Sequence, residues 1–284
     1  MVKFGRHKGL KILALLGVPV RVWPRAPKFM AKFHFTFDKT RKALNLKKKI
    51  LNIYKNYSPQ VADIIVVGGG DGYMLSTLKK YVSFNKPFYG INCGTYGFLM
   101  NNFSKENLEK KIILAKKIYI KPLDILVKTN KYIKKILAIN EISIFRQSRQ
   151  TVSINLKISN KVVLKKLIGD GVLVSTPAGS TAYNFSAQGP VIALDSEKLV
   201  VTPISPFRPR RWKGKIISNK SKIKIINLNP LKRPAAAVAD NIEIRNIRSA
   251  DISISKKIIF CLLYDKNNNL VKKIKLEQKR QKYN

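Results

Sequence analysis

The sequence predicts an α/β domain followed by an all-β domain, and a change of pattern along the chain predicts this division. Between residue 30 and about residue 118, short apolar runs alternate with segments of helical spacing, as in a parallel sheet covered by helices. After about Tyr119, strand-like segments follow one another with short polar breaks, mostly alternating at period two. At 284 residues the chain is long enough for two domains with sizeable cores.

The elements of the first domain can be assigned in chain order. The stretch "KFHFTF" predicts a strand by its period-two alternation, and "KALNLKKKILNIYKNY" predicts a helix. The short apolar run "DIIVVG" is typical of a strand buried on both faces, and "GYMLSTLKKYVSF" predicts the helix that follows it. "KPFYGINCG" predicts another strand, and "SKENLEKKIILAKK" a helix with Ser104 as its N-cap. This alternation indicates a Rossmann-like parallel sheet.

The second domain is predicted to span residues 119–256 and to consist of strands. Its segments include "YIKPLDILVKT", "KKILAINEISIF", "TVSINLKI" and "KVVLKKLIGDGVLVST", followed by "KIKIINL", "NIEIRNI" and "DISIS". Near the end, "IIFCLLYD" is a continuous apolar run that we expect to return to the first sheet. The α/β domain should therefore comprise residues 30–118 together with residues 257–284.

Residues 1–29 superficially resemble a signal peptide, with a basic start and a short apolar stretch. Gly17 and Pro19 interrupt that stretch, and no clear small-residue cleavage site follows it. No apolar run approaches the roughly 18 residues of a membrane-spanning helix. Because "MAKFHFTFDKTRKAL" at Met30 reads like the beginning of a domain, we predict that residues 1–29 are an extension outside the fold, which a misassigned start codon would explain.

Charge and reactive side chains limit the classes of function. The chain has 56 Lys+Arg against 15 Asp+Glu, a net charge of +41 that favours anionic partners. Because lysine occurs throughout the chain, we interpret this charge as compositional drift rather than a nucleic-acid footprint. Two cysteines, Cys93 and Cys261, are too few for a disulfide scaffold and fit a reducing cytoplasm. With only His7 and His34, a histidine-dependent triad or a Cys/His zinc site is disfavoured.

A glycine-rich loop, "GGGDG" at residues 68–72, follows the predicted strand "DIIVVG". Backbone N–H groups in such a loop can bind a phosphate, and glycine lets the phosphate approach the backbone closely. The loop is not a Walker A sequence, and Tyr73 replaces the third glycine of GxGxxG. Asp71 could orient an alcohol and accept its proton during phosphoryl transfer. We favour phosphate binding over the alternative, a tight turn with a solvated aspartate.

Three further stretches place polar groups at strand ends or within strands. They are "YGINCGTYGFLM" at residues 89–100, "NEISIF" with Asn140 and Glu141, and "GDGVLVSTPAGSTAYNFSAQGPVI" at residues 169–192. Taken alone, each could be a turn or a satisfied polar pair. Together and in this order, with "GGDG" at residues 69–72, they strongly resemble the NAD kinase family.

The resemblance spans about Met30 to the end of the chain. The "GGDG" element is shared with diacylglycerol, sphingosine and 6-phosphofructo-type kinases, whereas "GDGVLVSTPAGSTAY" at residues 169–183 is much more specific. "VTPISPFRPRRWKG" at residues 201–214 is similar to the alphaproteobacterial version. The family has an α/β N-terminal domain, an elaborate β C-terminal domain and a final segment that returns to the first domain, in agreement with the assignment from the residues.

The resemblance implies a reaction and a set of site residues. NAD kinases transfer a phosphoryl group from ATP, or in some members polyphosphate, to the 2′-hydroxyl of the adenosine ribose of NAD, and they require a divalent metal, normally Mg²⁺. Asp71 would be the general base. The NAD-binding positions would be Asp71, Gly72, Asn140, Glu141, Asp170, Thr181, Ala182, Tyr183, Asn184, Phe185, Ser186 and Asp240. The phosphate loop would comprise Gly68, Gly69, Gly70, Gly72, Asn92 and Gly94, and no protein ligand to the metal is assigned.

The resemblance also implies individual roles. Asn140 and Glu141 would hold the adenosine half of NAD, and Asp170 would contact the nicotinamide end, often from a neighbouring subunit. The chain departs from the family at three positions: Ile168 replaces a common basic residue, Ala178 a common Thr, and Cys93 a position often held by Arg. A phosphate contact made by the basic residue would then be missing or supplied elsewhere.

Family members are homodimers or homotetramers, and we expect a cytoplasmic homo-oligomer with no membrane and no specific nucleic-acid partner. Three alternatives remain open. A lipid or sphingoid kinase would share the glycine–aspartate loop, but should not carry "STPAGSTAY". A non-enzymatic polyanion binder would use the net charge of +41. A binding protein could retain the fold without catalysis, although the presence of Asp71 argues against this.

Overall fold

Two sheets organise the part of the chain that the structure describes. The computed structural model describes residues 31–95, 97–103 and 107–266. Within them, one sheet has five strands and the other has eleven, which confirms the predicted α/β and all-β fold. The predictions for residues 1–29, for Ser104 and for residues 267–284 lie outside the described residues.

The five-stranded sheet is mostly parallel. Its order is β1-β2-β3-β16-β4, and the pairs β1–β2, β2–β3 and β3–β16 are parallel while β16–β4 is antiparallel. The apolar run "IIFCLLYD" therefore returns to this sheet, as predicted. The strands are β1 (Phe33–Phe37), β2 (Ile64–Gly69), β3 (Phe88–Asn92), β4 (Lys116–Ile120) and β16 (Phe260–Tyr264).

Helices connect or flank these strands. They are α1 (Arg41–Leu51), α2 (Asp71–Lys80), α3 (Leu108–Leu114) and the short α4 (Tyr183–Ser186). The hydroxyl of Thr40 caps α1, whose apolar positions Ala43, Leu46 and Ile50 are buried. The side chain of Asn107 caps α3 by accepting from two backbone N–H groups. Helix α3 therefore begins at Leu108.

The eleven-stranded sheet is antiparallel throughout the described pairs. Its main order is β14-β13-β7-β9-β8-β12-β15-β5-β6, and β10 pairs with β9 and β11. The alternating burial along these strands explains the period-two pattern in the sequence. The strands are β5 (Leu123–Thr129), β6 (Ile133–Ala138), β7 (Glu141–Arg146), β8 (Val152–Ile158), β9 (Lys161–Ser175), β10 (Lys198–Arg208), β11 (Lys215–Ser218), β12 (Ile223–Asn227), β13 (Ala235–Ala239), β14 (Ile242–Ile244) and β15 (Ile247–Ile254).

A hydrophobic cluster joins residues of the two predicted domains. It combines Met74 of α2 and Leu99 after β3 with Ile139 before β7 and Ala178 after β9. Burying these side chains together fixes the loops that follow β2 and β3 against the segments around residues 140 and 178. The chain passes between the sheets at residues 121–122 and 255–259. The predicted domain limits remain a prediction, because the described residues from Lys32 onward belong to one compact unit.

Candidate active site

Asp71 lies at the junction of β2 and α2. Strand β2 ends at Gly69, Gly70 is the N-cap of the helix, and Asp71 is its first residue. The backbone N–H of Phe98 donates to Oδ2 of Asp71 at 2.7 Å, and that of Leu99 donates to Oδ1 at 2.9 Å. The two N–H groups fix the plane of the carboxylate at the carboxyl end of the parallel strands, where ligand sites form in α/β folds.

The glycines of the loop are present for different reasons. A Cβ at Gly68 would lie 2.6 Å from the Phe37 ring, so packing requires a glycine there. Among the described residues, no atom lies within 4 Å of a Cβ built at Gly70 or at Gly72. Neither has a positive φ, and Gly70 itself has φ −104°. Neither packing nor backbone conformation thus requires glycine at these two positions, and they leave open space on either side of Asp71.

The turn after β3 lies against the glycine loop. The N–H of Cys93 donates to the carbonyl of Gly69 at 2.8 Å, which ties the two loops together. Oδ1 of Asn92 accepts from the N–H of Gly94 at 2.9 Å. The structure therefore brings Asn92 and Gly94 beside the glycine loop, while the Asn92 amide oxygen stabilises its own turn.

The backbone around Asn140 and Glu141 is held from two sides. The N–H groups of Ile139 and Asn140 donate to the two carboxylate oxygens of Asp240, each at 2.8 Å. The N–H of Thr176 donates to the carbonyl of Asn140 at 2.9 Å. A Cβ at Gly179 would lie 2.2 Å from that same carbonyl oxygen, so only glycine allows the two segments to pack this closely.

The side chains of Asn140 and Glu141 present unused acceptors. Oδ1 of Asn140 and Oε2 of Glu141 are buried, and within the described residues they have no hydrogen-bond partner. Burial first, and the nearby carboxylate of Asp240 second, raise the pKa of Glu141 to about 8. Because a buried acceptor without a donor is costly, this arrangement favours a ligand that brings hydroxyl or amino donors.

Asp170 and Tyr183 lie near this pair. Burial, followed by the negative charges of Asp170 and Glu141, raises the pKa of the Tyr183 hydroxyl. Nε of Arg146 donates to Oδ1 of Asp170 at 2.6 Å. Sequence reasoning missed Arg146, a basic group on β7 that reaches Asp170 from the strand neighbouring β9.

Asn184 has a supporting role in the segment that follows. Its amide donates to the carbonyls of Ser180 and Pro190 at 3.1 and 3.0 Å, and its Oδ1 accepts from Thr202 at 2.7 Å. The residue is fully buried. These internal hydrogen bonds shape the segment, and the NAD contact expected at residue 184 stays a prediction. The other predicted positions of this segment are partly or largely exposed, namely Thr181, Ala182, Tyr183, Phe185 and Ser186.

Asp240 also connects the two halves of the site. Besides accepting from Ile139 and Asn140, its carboxylate lies 2.8 Å from Nζ of Lys79, and its side chain is only 3% exposed. Lys79 is on α2, the helix that begins with Asp71. The ion pair was not predicted, and it fixes the helix of Asp71 relative to Asn140 and Glu141.

The described residues enclose two cavities but contain no metal-binding cluster. Among the described residues, no group of three or more His, Cys, Asp or Glu side chains could hold a metal ion. Two cavities of about 290 and 710 Å³ are lined by residues outside the predicted site.

No helix in the described ranges is long and apolar enough to cross a membrane.

Comparisons with known proteins point to one family. A family model described as the ATP-NAD kinase C-terminal domain matches residues 139–256. NAD kinases from Brucella melitensis and Zymomonas mobilis are 43% and 44% identical to this chain. The alignments cover 86% and 84% of this chain and 96% and 94% of those relatives.

Solved structures agree with this result. An NAD kinase from Archaeoglobus fulgidus in complex with ATP superposes with a TM-score of 0.68 and 26% identity, covering 86% of this chain and 98% of that one. Yeast NADH kinase complexed with NADH superposes with a TM-score of 0.66 and 25% identity, covering 75% of this chain and 65% of that one.

Proposed function

Because this chain belongs to the NAD kinase family, we propose that it transfers the terminal phosphoryl group of ATP to the 2′-hydroxyl of the adenosine ribose of NAD, with Asp71 as the general base. The observation that carries the proposal is the adjacent pair of buried acceptors, Asn140 Oδ1 and Glu141 Oε2, which lack donors among the described residues. The hydroxyl and amino groups of an adenosine would supply such donors.

Asp71 would act mainly through its position. The hydrogen bonds from Phe98 and Leu99 orient its carboxylate before the substrate arrives. An ordinary aspartate is a weak base for an alcohol, but phosphoryl transfer through a loose transition state needs little proton removal until late. The open space beside Gly70 and Gly72 supports the close approach of phosphate oxygens to the backbone, where N–H groups can stabilise developing charge.

The remaining predicted residues would hold the dinucleotide. Glu141 would accept from ribose hydroxyls, and Asn140 would read the edge of the base. Asp170 and Tyr183 would meet the nicotinamide half, and Arg146 would fix the carboxylate of Asp170 through their ion pair. Asp240 would act indirectly by holding the backbone of Asn140.

The donor and the metal complete the proposal. ATP is favoured as the donor, because a solved relative is described in complex with ATP. Mg²⁺ is commonly bound by one or two carboxylates together with substrate phosphates. The described residues do not form a metal site by themselves, so the ion would depend on the phosphates of ATP for most of its ligands.

We further expect a homodimer or homotetramer in the cytoplasm, as the resemblance to NAD kinases implies. Tyr183 is 38% exposed and the Asp170 side chain 28% exposed, so both are accessible to a neighbouring subunit or to NAD.

The test is a coupled assay for NADP⁺ formed from NAD⁺, ATP and Mg²⁺. We expect NADP⁺ to form with ATP. A parallel reaction with polyphosphate tests the phosphoryl donor, and one with diacylglycerol tests the acceptor. Phosphorylation of diacylglycerol without formation of NADP⁺ would favour the lipid-kinase alternative, and absence of NADP⁺ with both donors would contradict the proposal.

A further inference from the structure

The hydroxyl of Tyr264 is connected to Asp71 through a single peptide group. Tyr264 is the last residue of β16, it is 5% exposed, and its hydroxyl donates to the carbonyl of Phe98 at 3.1 Å. That carbonyl belongs to the same peptide group as the N–H of Leu99, which donates to Oδ1 of Asp71 at 2.9 Å. The hydrogen bonds therefore run from the tyrosine hydroxyl through the Phe98–Leu99 peptide to the carboxylate.

Such a chain of hydrogen bonds is cooperative. A donor to a peptide carbonyl polarises the peptide and strengthens the hydrogen bond that its N–H makes. Burial, and then the charge of Asp71, raise the pKa of Tyr264 well above its ordinary value, so the hydroxyl keeps its proton and remains a donor. The tyrosine therefore holds the Phe98–Leu99 peptide with its N–H directed at Asp71.

The position of Tyr264 depends on the return of the chain to the first sheet. Strand β16 pairs in parallel with β3 and in antiparallel with β4. This pairing places residue 264 behind the loop that follows β3, although it is 166 residues from Phe98 in the sequence.

We propose that Tyr264 is a positioning residue for phosphoryl transfer, which orients the Asp71 carboxylate through the Phe98–Leu99 peptide. The proposal rests on the proposed function, in which Asp71 is the general base. Strand β16, which carries none of the predicted site residues, would thereby contribute to catalysis.

The test compares Tyr264→Phe with a matched control, Tyr89→Phe. Tyr89 is also a buried tyrosine of the five-stranded sheet, and its hydroxyl donates to Asp265 at 2.8 Å. Because its acceptor is a carboxylate, Tyr89→Phe should lose at least as much thermal stability as Tyr264→Phe, whose hydroxyl donates to a neutral carbonyl. We expect Tyr264→Phe to lower kcat about 3- to 10-fold, as the loss of one net hydrogen bond allows, while KM for NAD changes less than about twofold. Tyr89→Phe should leave kcat within about twofold of the wild type.

A double variant separates this inference from the proposed function. If Tyr264 acts through Asp71, Tyr264→Phe should no longer lower kcat when Asp71→Asn is present, because the two effects are coupled. An equal loss of kcat with and without Asp71→Asn would overturn the inference, and so would an equal loss in Tyr89→Phe or no loss in Tyr264→Phe. The assignment of Asp71 would survive those results, whereas it fails if Asp71→Asn alone is fully active.

Discussion

At the scale of single residues, Glu141 of the proposed NAD site lowers the stability of the ligand-free protein. Its Oε2 is buried without a partner among the described residues, and its pKa is raised to about 8 by burial and by Asp240. Ionising the group therefore disfavours the folded state unless donors are supplied. A dinucleotide bound through its ribose hydroxyls would supply them, so we expect NAD to stabilise the protein more at pH 8.5 than at pH 5.

The variant Glu141→Gln should be stabilised relative to the wild type as the pH rises. In the unfolded chain this glutamate ionises near pH 4.5, and in the folded chain near pH 8. The folded state therefore binds the proton more tightly, and wild-type stability from this group is complete below about pH 4.5 and is lost as the pH rises to about 8.

The measurement is the melting temperature of both proteins between pH 4.5 and 8.5 without ligand. The difference, variant minus wild type, should increase across this range by at least about 2 °C, the shift that roughly 1 kcal/mol produces in a chain of this size. A difference that stays constant with pH would show that folding does not raise the pKa of Glu141.

At the scale of elements, helix α2 joins the glycine loop to the second sheet. It begins with Asp71, and near its other end Lys79 forms an ion pair with the buried carboxylate of Asp240. Because Asp240 also holds the N–H groups of Ile139 and Asn140, a shift of this helix would move both halves of the site relative to each other.

The variant Lys79→Met should destabilise the protein and weaken NAD binding. Methionine retains the apolar stem but removes the ammonium from Asp240, and the loss of a charged interaction in a mostly buried site costs about 2 kcal/mol. Chemical denaturation at pH 7 measures the change, and KM for NAD should rise several-fold. Lys80→Met is the control, because Lys80 lies on the same helix and is exposed. Equal effects of the two substitutions would contradict the assigned role of Lys79.

The sequence predicted most elements and missed those whose pattern is incomplete. Strand β1 and helices α1 and α2 follow from periodicity, because each has one clearly buried face. Strands β2 and β3 are buried along nearly their whole length, as the apolar run of β2 predicts. Strand β4 lies at the edge of the first sheet and begins with the exposed Lys116 and Lys117. These lysines continue the helical pattern of α3, so the sequence assigns them to the helix, and it assigns Tyr119 and Ile120 to a strand of the second domain. The structure instead places residues 116–120 in one strand of the first sheet.

For the site, motifs identify residues but not the contacts between them. Asp71, Asn140 and Glu141 could be assigned from the family resemblance. The partners Lys79, Arg146 and Tyr264 could not, because their contacts join segments that are distant in the sequence and depend on how the elements pack. Conversely, Asn184 directly follows the most specific motif, yet its side chain stabilises the fold.

At the scale of the whole molecule, the two sheets each supply one part of the proposed chemistry. The first provides Asp71 and the glycine loop, and the second provides Asn140, Glu141 and Asp170. The cluster that contains Met74, Leu99, Ile139 and Ala178 joins them. The net charge of +41 would attract anionic substrates such as ATP and NAD over a long range, an effect that salt weakens.

The central claim is that a carboxylate fixed between two loops serves as the base on the ribose hydroxyl. It is tested most directly by kcat of Asp71→Asn in the NADP⁺ assay, with NAD affinity measured on the same preparation. The account predicts a loss of about 10²- to 10⁴-fold in kcat, the range for a positioned general base, and an NAD affinity within a few-fold of the wild type. A variant whose kcat stays within a few-fold of the wild type would contradict it.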